Sequence, residues 1–128
     1  MAPRYSLKIV TDFSSAHRLI DYPGECERLH GHNWKLEVEV GAGVLDQIGM
    51  AIDFKTIKSA ARELARELDH KYLNDLTPFK QRNPTAENIA AWFFQELSKR
   101  LNNHNVSVDA VTLWETDTAS VRYSEDNI

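Results

Sequence analysis

The order in which hydrophobic periodicity changes along the chain is what most constrains its fold. Tyr5, Leu7, Ile9, Thr11 and Phe13 recur every second residue among mostly polar neighbours, the pattern of a strand with one face buried. Trp34, Leu36, Val38 and Val40 do the same against Lys35, Glu37 and Glu39, and Gly41, Gly43 and Gly49 are expected to break this second strand. The period then changes. Phe54, Ile57, Ala61, Leu64 and Leu68 follow at steps of 3, 4, 3 and 4, an amphipathic helix with Asp53 as its N-cap and Arg62, Glu63, Arg66 and Glu67 toward solvent. It ends near Asp69-His70, and a loop runs through Asn74-Asp75 and Pro78. Pro84-Thr85 opens a second helix, with Thr85 as its cap. Ile89, Phe93, Leu97 and Leu101 repeat every four residues along it, and Asn102-Asn103 stop it. Alternation returns at Val106, Val108 and Ala110 and changes parity at Val111, Leu113 and Glu115, which predicts a bulge between Ala110 and Val111. A turn at Asp117-Thr118 leads to a short last strand with Val121 and Tyr123 on one face. Strands in pairs with helices between them, ββααββ, predict an α+β fold with both helices on one face of an antiparallel sheet.

The 128 residues show no repeat or linker and suit one domain over 1–128. A net charge of −4 argues against a nucleic-acid partner. No apolar run approaches the roughly 18 residues of a membrane helix, and Met1-Ala2-Pro3-Arg4-Tyr5-Ser6 lacks the apolar core of a signal peptide. The single cysteine allows no internal disulfide, which together with these features predicts a cytoplasmic protein.

Five histidines and that cysteine are then worth locating. His30 and His32 open the second strand two residues apart, so their imidazoles share a face. Two neutral imidazoles on one face make half of a zinc site, and His17, at the end of the first strand, comes close if the two strands pair. Three histidines leave a fourth position open, as a catalytic zinc requires. Two other readings fit the same residues: unrelated surface histidines, or a closed structural site in which Cys26 is the fourth ligand. Cys26 beside a metal is a usable base or nucleophile, and its bland reading is a small buried hydrophobe. Asp69-His70 suits a helix end, where the dipole favours a histidine, and it equally suits an imidazole oriented by a carboxylate for proton transfer. Glu115 shares a strand face with Val111 and Leu113. A carboxylate there needs a partner: an arginine, solvent if the register is inverted, or a ligand with two adjacent N–H donors. His104 reads as a surface loop residue, and Trp34 and Trp92 as core or interface.

These residues together resemble the 6-pyruvoyl tetrahydropterin synthase / 6-carboxytetrahydropterin synthase family over nearly the whole chain. The resemblance rests on Phe13 through Leu19, Cys26 through Asn33, Ile52-Asp53-Phe54, Leu68-Asp69-His70, Leu73-Asn74-Asp75, Asn83 through Asn88 and Glu115-Thr116. The compact Cys-x-x-x-His-Gly-His spacing is similar to the bacterial queuosine-pathway members, which convert 7,8-dihydroneopterin triphosphate to 6-carboxy-5,6,7,8-tetrahydropterin with release of acetaldehyde and triphosphate. The resemblance implies the tunnel fold, assembled as a hexamer of two stacked trimers. It implies that His17, His30 and His32 bind zinc and that Cys26 is the base. Asp69 and His70 are then the proton-relay pair across a subunit interface. Glu115 anchors the pterin, and Thr85 and Glu87 are further candidates for the pterin pocket. Glu27 directly follows Cys26, a form similar to relatives that use a glutamate to make 6-hydroxymethyl-7,8-dihydropterin, so Glu27 is an alternative base.

Overall fold

The computed structural model describes residues 2–21 and 28–126. Strands β1 (Tyr5–His17) and β2 (His30–Ala42) are followed by helices α1 (Phe54–Leu68) and α2 (Ala86–Leu101), then by β3 (Val106–Thr116) and β4 (Ala119–Tyr123). The strands form one antiparallel sheet in the order β1-β2-β3-β4. This is the ββααββ order and the α+β class that the periodicity predicts.

Both helices cover one face of the sheet. Phe13, Trp34, Leu36, Val38, Val111 and Leu113 point into that face and meet Ile57, Leu64 and Leu68 of α1 and Ile89, Phe93 and Leu97 of α2, all of them buried. Each such side chain contributes about 1.5–3 kcal/mol by leaving water. Both helix starts are capped as expected: Asp53 accepts the Lys55 N–H at 2.8 Å, and Thr85 accepts the Asn88 N–H at 3.1 Å.

Several local features differ from the sequence reading. Gly41 does not end β2, which continues to Ala42. A side chain at Gly41 would fill the space where the Arg4 guanidinium crosses the strand to meet Asp109 at 2.8 Å, so the glycine is there to let that ion pair pass. The expected bulge falls at Asp109 instead: Val40 pairs with Val108 and Glu39 with Ala110, leaving Asp109 without a partner on β2. A second bulge, which the sequence did not announce, falls at Glu115, because Trp114 pairs with Ser120 and Thr116 with Ala119. Phe54, placed in the apolar stripe of α1 by its spacing, is 54% exposed. It is the first residue of the helix, where the stripe has not yet reached the sheet.

The segment after α1 is more ordered than a loop. Short 3₁₀ turns occupy Leu73–Asp75 and Thr77–Phe79. Residues 70–72 run beside the outer edge of β1: the His70 N–H donates to the Ser14 carbonyl, the Ala16 N–H donates to the Lys71 carbonyl, and Ala16 bridges to Tyr72 in parallel. None of the helices in the described residues is long and apolar enough to cross a membrane.

Candidate metal centre and active site

Strand register builds the centre. His17 ends β1 directly opposite His30, and His32 lies opposite Ser15. Alternation turns all three imidazoles toward the helix side, as it does Phe13 and Trp34. The ring centroids of His17 lie 4.4 Å from His30 and 5.3 Å from His32, and those of His30 and His32 are 4.8 Å apart. The buried Trp34 indole forms the floor, with edge-to-face contacts at 5.1 Å to His17 and 5.3 Å to His32.

Hydrogen bonds fix the tautomers of two of these rings. His17 Nδ1 lies 2.7 Å from the Pro84 carbonyl and His30 Nδ1 lies 2.7 Å from the Arg28 carbonyl. A carbonyl only accepts, so both Nδ1 atoms carry hydrogen. Each neutral ring then presents its Nε2 lone pair inward, and these two Nε2 atoms are 2.9 Å apart. Two lone pairs at that distance repel unless a cation lies between them. Protonation is opposed, since burial is the main influence on His17 and His32 and holds both below the usual histidine range, outweighing the pull of Glu115. His32 Nε2 is buried and has no hydrogen-bond partner among the described residues. It lies 3.0 Å from Glu115 Oε1, but without hydrogen-bond direction. Neutral imidazoles with converging lone pairs and an orphaned ring nitrogen are what a divalent metal of the zinc type needs, and carbonyl-held Nδ1–H groups are the usual outer support of such ligands.

Glu115 joins this group. Its bulge frees it from pairing with β4 and turns one carboxylate oxygen into the cluster, 3.0 Å from His32 Nε2 and 3.4 Å from His17 Nε2. The four donor atoms of His17, His30, His32 and Glu115 lie within 4.8 Å of one another. No arginine pairs with Glu115 among the described residues; its Oε1 faces the imidazoles of His32 and His17, partners that the strand pattern did not suggest.

Asp69 and His70 sit elsewhere. Asp69 ends α1, accepts the Ser14 N–H at 2.8 Å through Oδ1 and faces His70 Nδ1 at 3.0 Å through Oδ2. The Ser14 N–H, more than the adjacent His70, holds the Asp69 carboxyl below the usual carboxylate range. His70 has a left-handed backbone, φ 56°, which throws its ring outward, and that side chain is 81% exposed. The ring borders a shallow hollow at the edge of the β1–β2 pair, lined by Ser14, Ala16, Gly31, Asn33 and Tyr72 and also by His32 of the cluster. The pair is thus oriented, but it makes no polar contact with the histidine cluster among the described residues. Thr85 uses its hydroxyl as the α2 cap. Glu87 is exposed in the first turn of that helix, one turn from the Pro84 carbonyl that holds His17. Cys26 and Glu27 lie outside the described residues. His104 is exposed, as expected.

Two asparagines carry structure that the residue pattern did not reveal. Asn74 accepts from the Arg18 N–H at 2.9 Å and donates to its carbonyl at 2.8 Å, and Asn83 does the same for Ile20 at 2.9 and 2.8 Å. Each side-chain amide thereby stands in for a neighbouring strand and fixes the chain leaving His17. The only trace in the sequence is asparagine beside Asp75 and beside Pro84, which reads equally well as turn chemistry.

The family model for 6-pyruvoyl tetrahydropterin synthase matches residues 6–126. A 6-carboxy-5,6,7,8-tetrahydropterin synthase of Synechocystis is 36% identical over 116 residues, covering 87% of this chain and 86% of the relative. One from Rickettsia typhi is 31% identical over 129 aligned positions, covering 86% and 93%. The structure of Caenorhabditis elegans 6-pyruvoyl tetrahydropterin synthase superposes with a TM-score of 0.85 at 28% identity, covering 97% of each chain. That of the Plasmodium falciparum 6-pyruvoyl tetrahydropterin synthase shares the fold, with a TM-score of 0.75 at 17% identity. The architecture is the tunnel fold of these synthases, and it is an enzyme's fold here, of the lyase type. The chain belongs to the 6-pyruvoyl tetrahydropterin synthase family.

Proposed function

We propose that the chain is a zinc-dependent 6-carboxy-5,6,7,8-tetrahydropterin synthase of 7-deazapurine (queuosine) biosynthesis. It converts 7,8-dihydroneopterin triphosphate to 6-carboxy-5,6,7,8-tetrahydropterin, releasing acetaldehyde and triphosphate. The observation that carries this reading is the pair of carbonyl-locked imidazoles whose Nε2 atoms meet at 2.9 Å, with a third, unpartnered Nε2 beside them. Relatives named for this activity align over most of the chain.

His17, His30 and His32 would hold the zinc, which supplies Lewis acidity toward hydroxyls of the substrate side chain. Cys26 takes a proton from the adjacent carbon as the base. Asp69 holds His70 Nδ1–H, leaving Nε2 to exchange a proton with substrate. The exposure of His70, and the lack of a polar contact between this pair and the cluster among the described residues, support a role across a subunit interface, in a hexamer built as a dimer of trimers. Glu115 accepts the two parallel N–H donors of the aminopyrimidinone ring. Thr85 and Glu87, at the start of α2, are further candidates for the pterin pocket. The setting is cytoplasmic, with neither nucleic acid nor membrane as a partner.

The test is incubation of the zinc-loaded protein with 7,8-dihydroneopterin triphosphate and identification of the pterin. Acetaldehyde and the carboxy-pterin support the reading, and a pyruvoyl-pterin would replace it. A second reading is favoured by Glu27 directly following Cys26: side-chain cleavage to 6-hydroxymethyl-7,8-dihydropterin with Glu27 as the base. If that product appears and E27A leaves it unchanged, Glu27 is not its base. C26A separates both from a non-catalytic zinc module closed by Cys26. The enzyme reading expects zinc retained and turnover lost, whereas the module would lose its metal and its fold together.

A further inference from the structure

Three imidazoles converge in the metal centre, but only two are held from behind. The Pro84 carbonyl takes Nδ1–H of His17, and the Arg28 carbonyl takes Nδ1–H of His30. No hydrogen bond among the described residues reaches Nδ1 of His32. That is the exception for such a ligand, since the outer nitrogen of a metal-bound imidazole almost always donates to an oxygen. Strand register supplies a candidate. Ser15 stands directly opposite His32 in the β1–β2 pair, and residues so placed share a face, with Cβ atoms about 4.5–5.5 Å apart. Both line the hollow that His70 borders. Ser15 is 6% exposed, and its Oγ is buried without a hydrogen-bond partner among the described residues. A hydroxyl taken from water and left unpaired is costly. The facing His32 Nε2 is unpaired as well. One arrangement satisfies both atoms of this cross-strand pair.

We infer that Ser15 is the positioning residue of the third ligand. With Nε2 of His32 committed to a metal, its Nδ1 carries the hydrogen, and Ser15 Oγ accepts it. The hydroxyl gains the bond it lacks, and His32 is fixed in the tautomer that His17 and His30 already hold through carbonyls. The three ligands then differ in their support: two rest on backbone that no substitution removes, and one rests on a side chain. Residue 15 thereby sets metal affinity while touching neither metal nor substrate. This also accounts for a hydroxyl on the core face of β1, where the preceding inward residue, Phe13, and its partner Trp34 are buried aromatics. The inference rests on the metal reading above.

The test compares the native full chain with S15A and S15T. Zinc affinity is read by chelator competition. S15A should bind about tenfold more weakly or worse, and S15T, which keeps the hydroxyl, should bind close to natively. Metal-stripped protein should behave in the opposite sense. There the hydroxyl is an unpaired buried group, so S15A should unfold at a temperature equal to or above that of the native chain. Zinc-loaded protein carrying ¹⁵N-labelled histidine gives the direct signal. Native protein and S15T should show a hydrogen-bonded Nδ1–H resonance from His32, and S15A should lose it while keeping that of His17. A serine that serves packing alone would lower the unfolding temperature of S15A equally with and without zinc and leave the resonance in place, which would overturn the inference. Unchanged zinc affinity in S15A would overturn it too, with the three-histidine metal left standing. If the added methyl of S15T is too crowded to fold, the resonance in S15A decides alone, and its survival sinks the idea. Native protein that takes up no zinc would instead remove the metal reading, and the inference with it.

Discussion

Replacing His30 by alanine should have effects that depend on the metal. In metal-stripped protein, His30 contributes a half-exposed hydrogen bond to the Arg28 carbonyl, worth about 0.5–1.5 kcal/mol. Against that stands the Nε2–Nε2 approach at 2.9 Å, between two atoms that both carry lone pairs. Removing the ring loses the first and relieves the second, so H30A should change the stability of the stripped protein by less than about 1 kcal/mol. With zinc the balance is different. A ligand held at about 1,000 times its Kd stabilises the fold by about 4 kcal/mol, and each hundredfold loss of affinity removes about 2.7 kcal/mol of that. Loss of one of three imidazoles should cost at least a hundredfold, the upper end of what outer support residues contribute. At about 2.1 cal/mol/K of unfolding entropy per residue, 128 residues convert this to roughly 10 °C. The assay is thermal unfolding of native and H30A protein, each with chelator and with fixed excess zinc. An equal drop for H30A in both conditions would refute the reasoning, because it would make the 2.9 Å contact an ordinary N–H···N bond and the tautomer assignment wrong.

Other perturbations follow from the same contacts. Burial holds His17 and His32 below the histidine range, so the unfolded chain binds more protons under acid conditions. This part of the stability should be complete above about pH 6.5 and be lost as pH falls from there toward the folded values, seen as a falling unfolding midpoint of chelated protein between pH 8 and 5. D69N keeps an acceptor for the Ser14 N–H and removes the charge facing His70. Turnover should fall about 10²-fold or more, with zinc content by elemental analysis unchanged, and a loss of zinc would mean that Asp69 supports the metal instead. T85A removes the α2 cap and should cost about 1 kcal/mol in urea unfolding, with T85S close to native; a cost under a few tenths would show the Thr85–Asn88 bond to be idle.

Much of this fold is legible because alternation and helical spacing are local. A residue at Leu36 or Val38 must face the core if its neighbours Lys35 and Glu37 are to face water, and that rule needs no knowledge of the rest of the chain. The same rule placed His30 beside His32, and antiparallel pairing brought His17 to them. What escaped depends on atoms far apart in sequence. The strand continues through Gly41 because Arg4 must reach Asp109 across it. Periodicity registers that a bulge exists near the middle of β3 but not which residue loses its partner. The Glu115 bulge left no parity signal, since so little of β3 follows it. The Pro84 carbonyl and the amides of Asn74 and Asn83 act through groups that no residue pattern encodes, since every residue has a carbonyl and asparagines are common in turns.

The left-handed backbone at His70 has an evolutionary consequence. That conformation costs a side-chain-bearing residue about 1–2 kcal/mol, while glycine adopts it freely. Every generation of drift or of laboratory selection for heat resistance therefore finds a ready gain in H70G or, to a lesser degree, H70N. If the imidazole carries protons, each such gain removes the chemistry it was selected alongside. Residue 70 is then the place where a population selected for durability alone should first diverge from one selected for turnover, and sequencing the two after parallel selection would show it.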